Sequence, residues 1–71
     1  MSSIRWKPFY WLGDKCKQFD RYSQLKKSLF EDLKNENEIH VFRSKRGEWG
    51  EWFEVWQYNS GKPKIVKEGW N

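Results

Sequence analysis

The single cysteine and the single histidine of this chain, Cys16 and His40, are its candidates for nucleophilic chemistry. A cysteine enzyme needs a thiolate, a base within hydrogen-bonding reach and a third group that orients the base. Cys16 lies in a basic stretch ahead of a helical segment, and His40 lies in a strand-like segment. No third group is placed to orient either of them. The sequence therefore predicts a protein that is not an enzyme, with a merely exposed thiol at Cys16.

Three glutamates recur at three-residue spacing, which would align their carboxylates for a metal ion if the segment were helical. They are Glu48, Glu51 and Glu54, in a segment crowded with Trp, Phe, Val and Tyr that favours a strand. Residues three apart along a strand point to opposite faces, so these carboxylates do not converge. The chain also lacks a second histidine or cysteine for a metal site. We expect no metal and no cofactor, and we interpret the glutamates as solubilising charge.

Aromatic side chains are the third group with chemical capacity, because rings stack on nucleic-acid bases and anchor protein interfaces. The chain has six tryptophans among its 71 residues, and they cluster most densely at residues 49–56. A domain of this size buries only about 60% of the surface that its unfolded chain exposes, so some rings must reach the surface. Exposed aromatic surface of this kind is typical of a binding site.

Composition limits the class of protein and its partners. Fourteen Lys and Arg against ten Asp and Glu give a net charge of +4, which favours phosphate-rich or acidic partners. A lone cysteine forms no internal disulfide, the N-terminus lacks the apolar stretch of a signal peptide, and no segment approaches the ~18 apolar residues of a membrane span. We expect one domain, residues 1–71, that is soluble and cytoplasmic and has no membrane partner.

The elements that position these side chains follow from hydrophobic periodicity. A run rich in aromatic residues predicts a first strand that lies at a sheet edge or bulges at Pro8. Apolar residues at three- and four-residue intervals predict a helix, with Asp20 or Ser23 as its N-cap. Turn-rich segments separate the remaining β-prone runs. The predicted order is strand, helix and three further strands: residues 4–12, 21–34, 38–45, 51–58 and 64–70.

Cross-strand matching sets the expected register of the hairpin formed by the third and fourth elements. A tight two-residue turn would place Ile39 opposite Glu54, which is a poor match. A slip of one residue sets Ile39 against Val55 and Val41 against Phe53, so like residues pair. The other pairs in this register are Phe42 with Trp52, His40 with Glu54 and Arg43 with Glu51. We take the second register as the prediction.

The predicted fold is α+β: a four-stranded, mainly antiparallel sheet with one helix packed on one face. In the chosen register, Ile39, Val41, Phe53 and Val55 face the helix, and the opposite side of the sheet carries the other aromatic rings. These rings are either an exposed binding surface or a second half of the core beneath the N-terminal strand. The residues expected to bind a partner are Phe42, Trp52, Trp56, Tyr58, Lys45, Arg46, Lys62 and Lys64.

Two classes of partner fit such a surface. Trp, Tyr and Arg are enriched in protein interface hot spots, and glutamates among the tryptophans would repel a phosphate backbone. We therefore favour a small non-catalytic binding module that docks on a larger protein as an accessory or inhibitory protein. The alternative is binding of single-stranded RNA or DNA by base stacking, with flanking Lys and Arg on the phosphates. Burial of the same surface in a homodimer is a further alternative.

Overall fold

The computed structural model describes residues 7–44 and 50–70 of the chain. Within them, one helix packs on one face of an antiparallel sheet with the strand order β2-β1-β3-β4-β5. The elements are β1 (Phe9–Leu12), β2 (Lys15–Gln18), α1 (Tyr22–Glu36), β3 (Glu38–Arg43), β4 (Trp52–Asn59) and β5 (Lys62–Trp70). The α+β class is confirmed, but the sheet has five strands where four were predicted.

β2 is the strand that the sequence prediction missed. Gly13 and Asp14 end β1 and form the turn of a hairpin that pairs Leu12 with Lys15. Gly13 has φ 62°, a left-handed conformation that glycine adopts without steric cost. The strand sequence Lys-Cys-Lys-Gln has little β-propensity, so composition gave no signal for it.

β2 also changes the position of the first predicted strand. β1 lies between β2 and β3, so the prediction that it forms an edge is wrong. Pro8 does not bulge the strand, because β1 begins after it, and its carbonyl accepts the backbone N–H of Phe19 at 2.9 Å. Residues 4–6 of the predicted strand lie outside the described residues.

Helix α1 confirms the predicted helix and starts at a different cap. The N-cap is Arg21, between the predicted candidates Asp20 and Ser23. The side chain of Gln24 accepts the backbone N–H of Arg21 at 3.2 Å. This contact is one half of a capping box, which satisfies a backbone donor at the helix start. Asn37 ends the helix in the left-handed region, with φ 67°.

The apolar stripe of α1 covers the middle of the sheet. Leu25, Leu29 and Leu33, at four-residue spacing, are fully buried. They pack with buried side chains from three strands: Tyr10, Ile39, Val41 and Trp56. Phe30 adds a tilted ring contact to Trp56, with 5.5 Å between the ring centroids. The predicted helix stripe is therefore the core, and an aromatic ring of β4 belongs to it.

A polar cluster fastens the β1–β2 hairpin to α1. The hydroxyl of Tyr10 donates to Asp32 at 2.6 Å and lies 2.7 Å from the hydroxyl of Ser28. Lys17 of β2 completes the cluster with an ion pair to Asp32 at 2.9 Å. These contacts cross from two strands to the helix, so they hold β2 on the sheet although it contributes little to the core.

The β3–β4 register differs by one residue from the prediction. Ile39 pairs with Trp56, Val41 with Glu54 and Phe42 with Phe53. Because side chains alternate along a strand, this shift exchanges the two faces of β4. Glu54 and Trp56 face α1, and Phe53 and Val55 lie on the other face. The predicted assignment of Phe53 and Val55 to the helix side is therefore wrong.

β4 and β5 form a hairpin that contains a bulge. Its turn is the pair Ser60 and Gly61, both with positive φ (53° and 77°), as in the type I′ turns that suit the twist of a hairpin. Pairing then proceeds from Asn59 with Lys62 to Trp56 with Ile65, after which Val55 pairs with Lys67. Val66 is the extra residue, so residues beyond it change face relative to a regular strand.

Candidate binding surface

The sheet face away from α1, which we call the open face, carries an aromatic row across its strands. Phe9, Phe42 and Phe53 lie in line on β1, β3 and β4, since Phe9 pairs with Phe42 and Phe42 with Phe53. The rings of Phe9 and Phe42 stack with 5.4 Å between centroids. Gly69 continues the row on β5 as the partner of Phe53, and a β-carbon at this position would lie 3.6 Å from the ring of Phe53. All three rings are half-buried, so each presents part of its surface.

Trp11 extends this aromatic surface along β1. It lies on the same face as Phe9, two residues along the strand, and 51% of it is exposed. Cys16, its partner on β2, is exposed as well. The sequence prediction omitted Trp11 from the site. The face on which Trp11 lies is fixed by the pairing of β1 with β2 and β3, and the local sequence does not indicate that pairing.

A polar patch occupies the other half of the open face. Gln57 donates a hydrogen bond to Glu38 at 2.8 Å, and His40 lies 3.0 Å from the same carboxylate. Asn59 donates to Gln57 at 3.4 Å. The hydrogen bonds from His40 and then Gln57 lower the pKa of Glu38. The patch therefore presents the amide groups of Gln57 and Asn59 beside one carboxylate, Glu38, which already accepts hydrogen bonds.

A lysine column follows β5 on the open face. Lys62 pairs with Asn59, Lys64 with Gln57 and Lys67 with Val55. Directly paired residues project from the same side of a sheet, so all three lysines share the face of the polar patch and the aromatic row. Each of the three is exposed. The open face therefore combines rings, amides and a basic border.

The predicted site residues are divided between the two faces. Phe42, Lys62 and Lys64 lie on the open face, whereas Trp52, Trp56 and Tyr58 lie on the side of α1. Trp56 is only 8% exposed and belongs to the core, so the prediction that it is exposed is wrong. Trp52 and Tyr58 are half-buried. The remaining predicted residues, Lys45 and Arg46, lie outside the described residues.

Glu54 is the residue that the sequence interpretation misplaced most. It is 2% exposed, and its carboxylate accepts the indole N–H groups of Trp52 at 3.2 Å and Trp56 at 3.0 Å. Tyr22 of α1 donates its hydroxyl to it, and Arg43 of β3 forms an ion pair with it at 3.3 Å. Glu54 is therefore a buried structural carboxylate on the helix side, and it places no negative charge on the open face.

Tyr22 and Arg43 are held together around that carboxylate. The guanidinium of Arg43 lies over the ring of Tyr22, 4.1 Å from its centroid. Burial, followed by the hydrogen bond to Glu54, raises the pKa of Tyr22 well above its ordinary value. The protonated hydroxyl of Tyr22 donates a hydrogen bond to the Glu54 carboxylate, and the Arg43 guanidinium compensates its negative charge. A buried carboxylate requires both kinds of partner.

The candidates for nucleophilic chemistry lie apart. Cys16 is on β2 and His40 on β3, with β1 between them. Two strand spacings of about 4.8 Å put the strands roughly 10 Å apart, beyond hydrogen-bonding distance. Within residues 7–44 and 50–70, no group of three His, Cys, Asp or Glu side chains is arranged to hold a metal ion.

Comparison of the chain with protein-family models, with curated proteins and with solved structures finds no match. Among the described residues, no helix has the length and apolar character needed to cross a membrane.

Proposed function

We propose that the open face binds single-stranded nucleic acid. The observation that carries the proposal is the position of Glu54, which lies on the helix side and is satisfied by Arg43 and two indoles. The sequence favoured a protein partner because glutamates stood among the tryptophans. With Glu54 withdrawn from the surface, the open face combines aromatic rings with a column of lysines, and this combination favours nucleic acid.

The aromatic row supplies the stacking part of the interaction. Bases stack on exposed rings with about 1–3 kcal/mol per base, with little dependence on sequence because every base has a flat face. Trp11 exposes the most surface, and Phe9, Phe42 and Phe53 offer partly exposed rings in a row. Rings already held by packing, as Phe9 is against Phe42, lose less side-chain freedom on binding, which lowers the entropic cost.

Two exposed tryptophans provide a matched test of this proposal. Trp11 is 51% exposed on the open face, and Trp70 is 44% exposed on the helix side, where it contacts Trp52. We would measure the anisotropy of labelled single-stranded RNA and DNA of about 12 nucleotides, within the usual site size of such domains. Trp11→Ala is expected to weaken binding about 10-fold or more, in line with the loss of one stacked base. Trp70→Ala is expected to leave affinity within about 2-fold, because truncating a residue outside a binding site is close to neutral.

Two outcomes would contradict the proposal. One is that wild-type protein leaves the anisotropy of both RNA and DNA unchanged at 50 mM salt, where phosphate contacts are strong. The other is that Trp70→Ala weakens binding as much as Trp11→Ala, which would place the contact on the helix side. Urea unfolding of both variants shows whether either change acts through stability.

Docking on a larger protein is the second candidate, and the helix side favours it. Trp52 and Trp70 make an edge-to-face pair on that side, with 5.0 Å between centroids, and Trp70 is 44% exposed. Aromatic pairs of this kind are typical anchors of protein interfaces. A pulldown in which Trp70→Ala loses a specific protein while Trp11→Ala retains it would support this candidate. Loss of the protein with Trp11→Ala alone would contradict it.

A further inference from the structure

We infer that the bound strand follows β5 at the border of the open face, with its phosphates on Lys62, Lys64 and Lys67 and its bases directed inward across β4, toward the aromatic row and Trp11. This inference rests on the proposed function, and it adds the path of the nucleic acid and the residues that border it. It is carried by the register of the β4–β5 hairpin, which places an exposed lysine on the outer strand beside each of three consecutive open-face positions of β4.

The bulge at Val66 is what aligns the column. Lys64 and Lys67 are separated by an odd number of positions, so in a regular strand they would project from opposite faces. Because Val66 is inserted between the partners of Trp56 and Val55, Lys67 returns to the face of Lys64. Neighbouring lysines are then two regular positions apart, roughly 7 Å along the strand. The bulge therefore places all three lysines of this edge strand on the open face, as binding of a phosphate backbone there requires.

The inner side of the column offers contacts to bases. Opposite Lys62 and Lys64 are the amides of Asn59 and Gln57, which can both donate and accept hydrogen bonds. Past Lys67, the next open-face position of β5 is Gly69, and its partner on β4 is Phe53. A strand laid over this hairpin therefore meets amides at one end and an aromatic platform at the other, with lysines along its outer side.

Three glutamates lie near this path among the described residues, and the first, Glu51, precedes β4 and is half-buried. Glu68 of β5 is opposite Glu54, and both lie on the helix side. Glu38 shares the open face, but it lies on β3, with β4 between it and the lysines, and its carboxylate is engaged by Gln57 and His40. Charge complementarity along β5 therefore favours a polyanion.

The salt dependence of binding tests the inference. Each phosphate neutralised on a single strand contributes about −0.7 to the slope of log K against log salt concentration. A triple variant with Lys62, Lys64 and Lys67 changed to Gln is expected to reduce the magnitude of that slope by about 2, and to lower affinity on the order of 100-fold at 50 mM salt. The control variant changes Lys15, Lys27 and Lys34 to Gln, removing the same charge from exposed positions on the helix side.

The control is expected to retain the wild-type slope to within about 0.7, the contribution of one phosphate contact. Equal loss of slope in both triple variants would overturn the inference while leaving nucleic-acid binding intact, because net charge alone would then explain the effect. An unchanged slope in the β5 variant would also overturn it. If wild-type protein binds neither RNA nor DNA, the proposed function fails first. Circular dichroism and urea unfolding of both variants confirm that each is folded.

Discussion

The indole nitrogen of Trp56 donates a hydrogen bond to Glu54 at 3.0 Å, two residues earlier on the same strand. Trp52 makes the equivalent contact from the other side at 3.2 Å. Side chains two apart on a strand share a face, so the spacing Trp52, Glu54, Trp56 brings two indole donors to one carboxylate. Much of the tryptophan density of β4 therefore serves to hold a buried charge.

Removal of that carboxylate should be strongly destabilising. Glu54→Ala leaves the Arg43 guanidinium and two indole donors without their acceptor, and we expect a loss of about 3 kcal/mol in the free energy of unfolding. Equilibrium urea unfolding at neutral pH measures it. Glu68→Ala is the matched control, since Glu68 pairs with Glu54 across the β4–β5 ladder and is exposed. We expect it to change stability by less than about 0.5 kcal/mol. Equal losses in the two variants would show that the buried network is not the cause.

The hydroxyls of Tyr10 and Tyr22 predict a fall in stability at alkaline pH. Burial first, and then the hydrogen bonds to Asp32 and Glu54, raise the pKa values of Tyr10 and Tyr22 well above the ordinary one. The unfolded chain releases these protons near pH 10, and the folded protein retains them. The folded state then binds more protons, so the free energy of unfolding decreases as pH rises above about 10.

Tyr22→Phe tests this prediction because it keeps the ring over which Arg43 lies and removes only the hydroxyl. We expect a loss of about 1–2 kcal/mol at neutral pH and a shallower decline above pH 10, measured by urea unfolding at several pH values. Tyr58→Phe is the control. An alkaline decline equally steep in wild type and Tyr22→Phe would contradict the prediction.

The sequence predicted the helix, its leucine stripe and the β3–β4–β5 meander, because each follows from local periodicity and turn residues. The register failed at Glu54. The predicted register paired like residues across the hairpin. It assumed that Glu54 is a surface group and placed it opposite His40. The signal against that placement was local: a tryptophan two residues away on each side, able to donate to it. Arg43 and Tyr22 complete the network from other elements, and no pattern within β4 could indicate them.

β2 and the face of Trp11 were missed for a different reason. The Lys-Cys-Lys-Gln strand has neither alternation nor β-propensity, and it is fixed by Lys17 reaching Asp32 and Ser28 on α1. Such contacts join residues 11 to 15 positions apart, so they appear only once the fold is known. The bulge at Val66 is likewise set by pairing with β4, and it decides the face on which Lys67 projects.

Asp32 predicts a separate effect at acid pH. Burial acts to raise its pKa, but the hydrogen bonds from Tyr10 and Lys17 outweigh burial and lower it. A depressed folded-state pKa contributes stability above the unfolded value, near pH 4, and this contribution is lost as pH falls through the folded value. Asp32→Asn is expected to cost about 1–2 kcal/mol at pH 7, and its difference from wild type should shrink below about pH 4.

Acid titration of stability by urea unfolding measures this difference. Asp14→Asn is the control, because Asp14 is exposed in the turn between β1 and β2. It is expected to change stability by less than about 0.5 kcal/mol at pH 7. A difference between wild type and Asp32→Asn that grows on acidification would reverse the expected sign and contradict the prediction.

The β4–β5 turn offers a stabilising substitution. Ser60 has φ 53° and is exposed at the first central position of the turn, ahead of Gly61. Left-handed backbone costs an ordinary L-residue about 1–2 kcal/mol, and asparagine tolerates it better than serine because its amide bonds locally. Ser60→Asn is therefore expected to raise the free energy of unfolding by about 0.5 kcal/mol, and Ser60→Val to lower it by about 1 kcal/mol. Thermal and urea unfolding measure both. Ser60 lies at the tip of the hairpin, beyond the end of the lysine column, so Ser60→Asn should leave nucleic-acid affinity unchanged. If Ser60→Asn stabilises the protein but weakens binding, the turn itself contacts the nucleic acid.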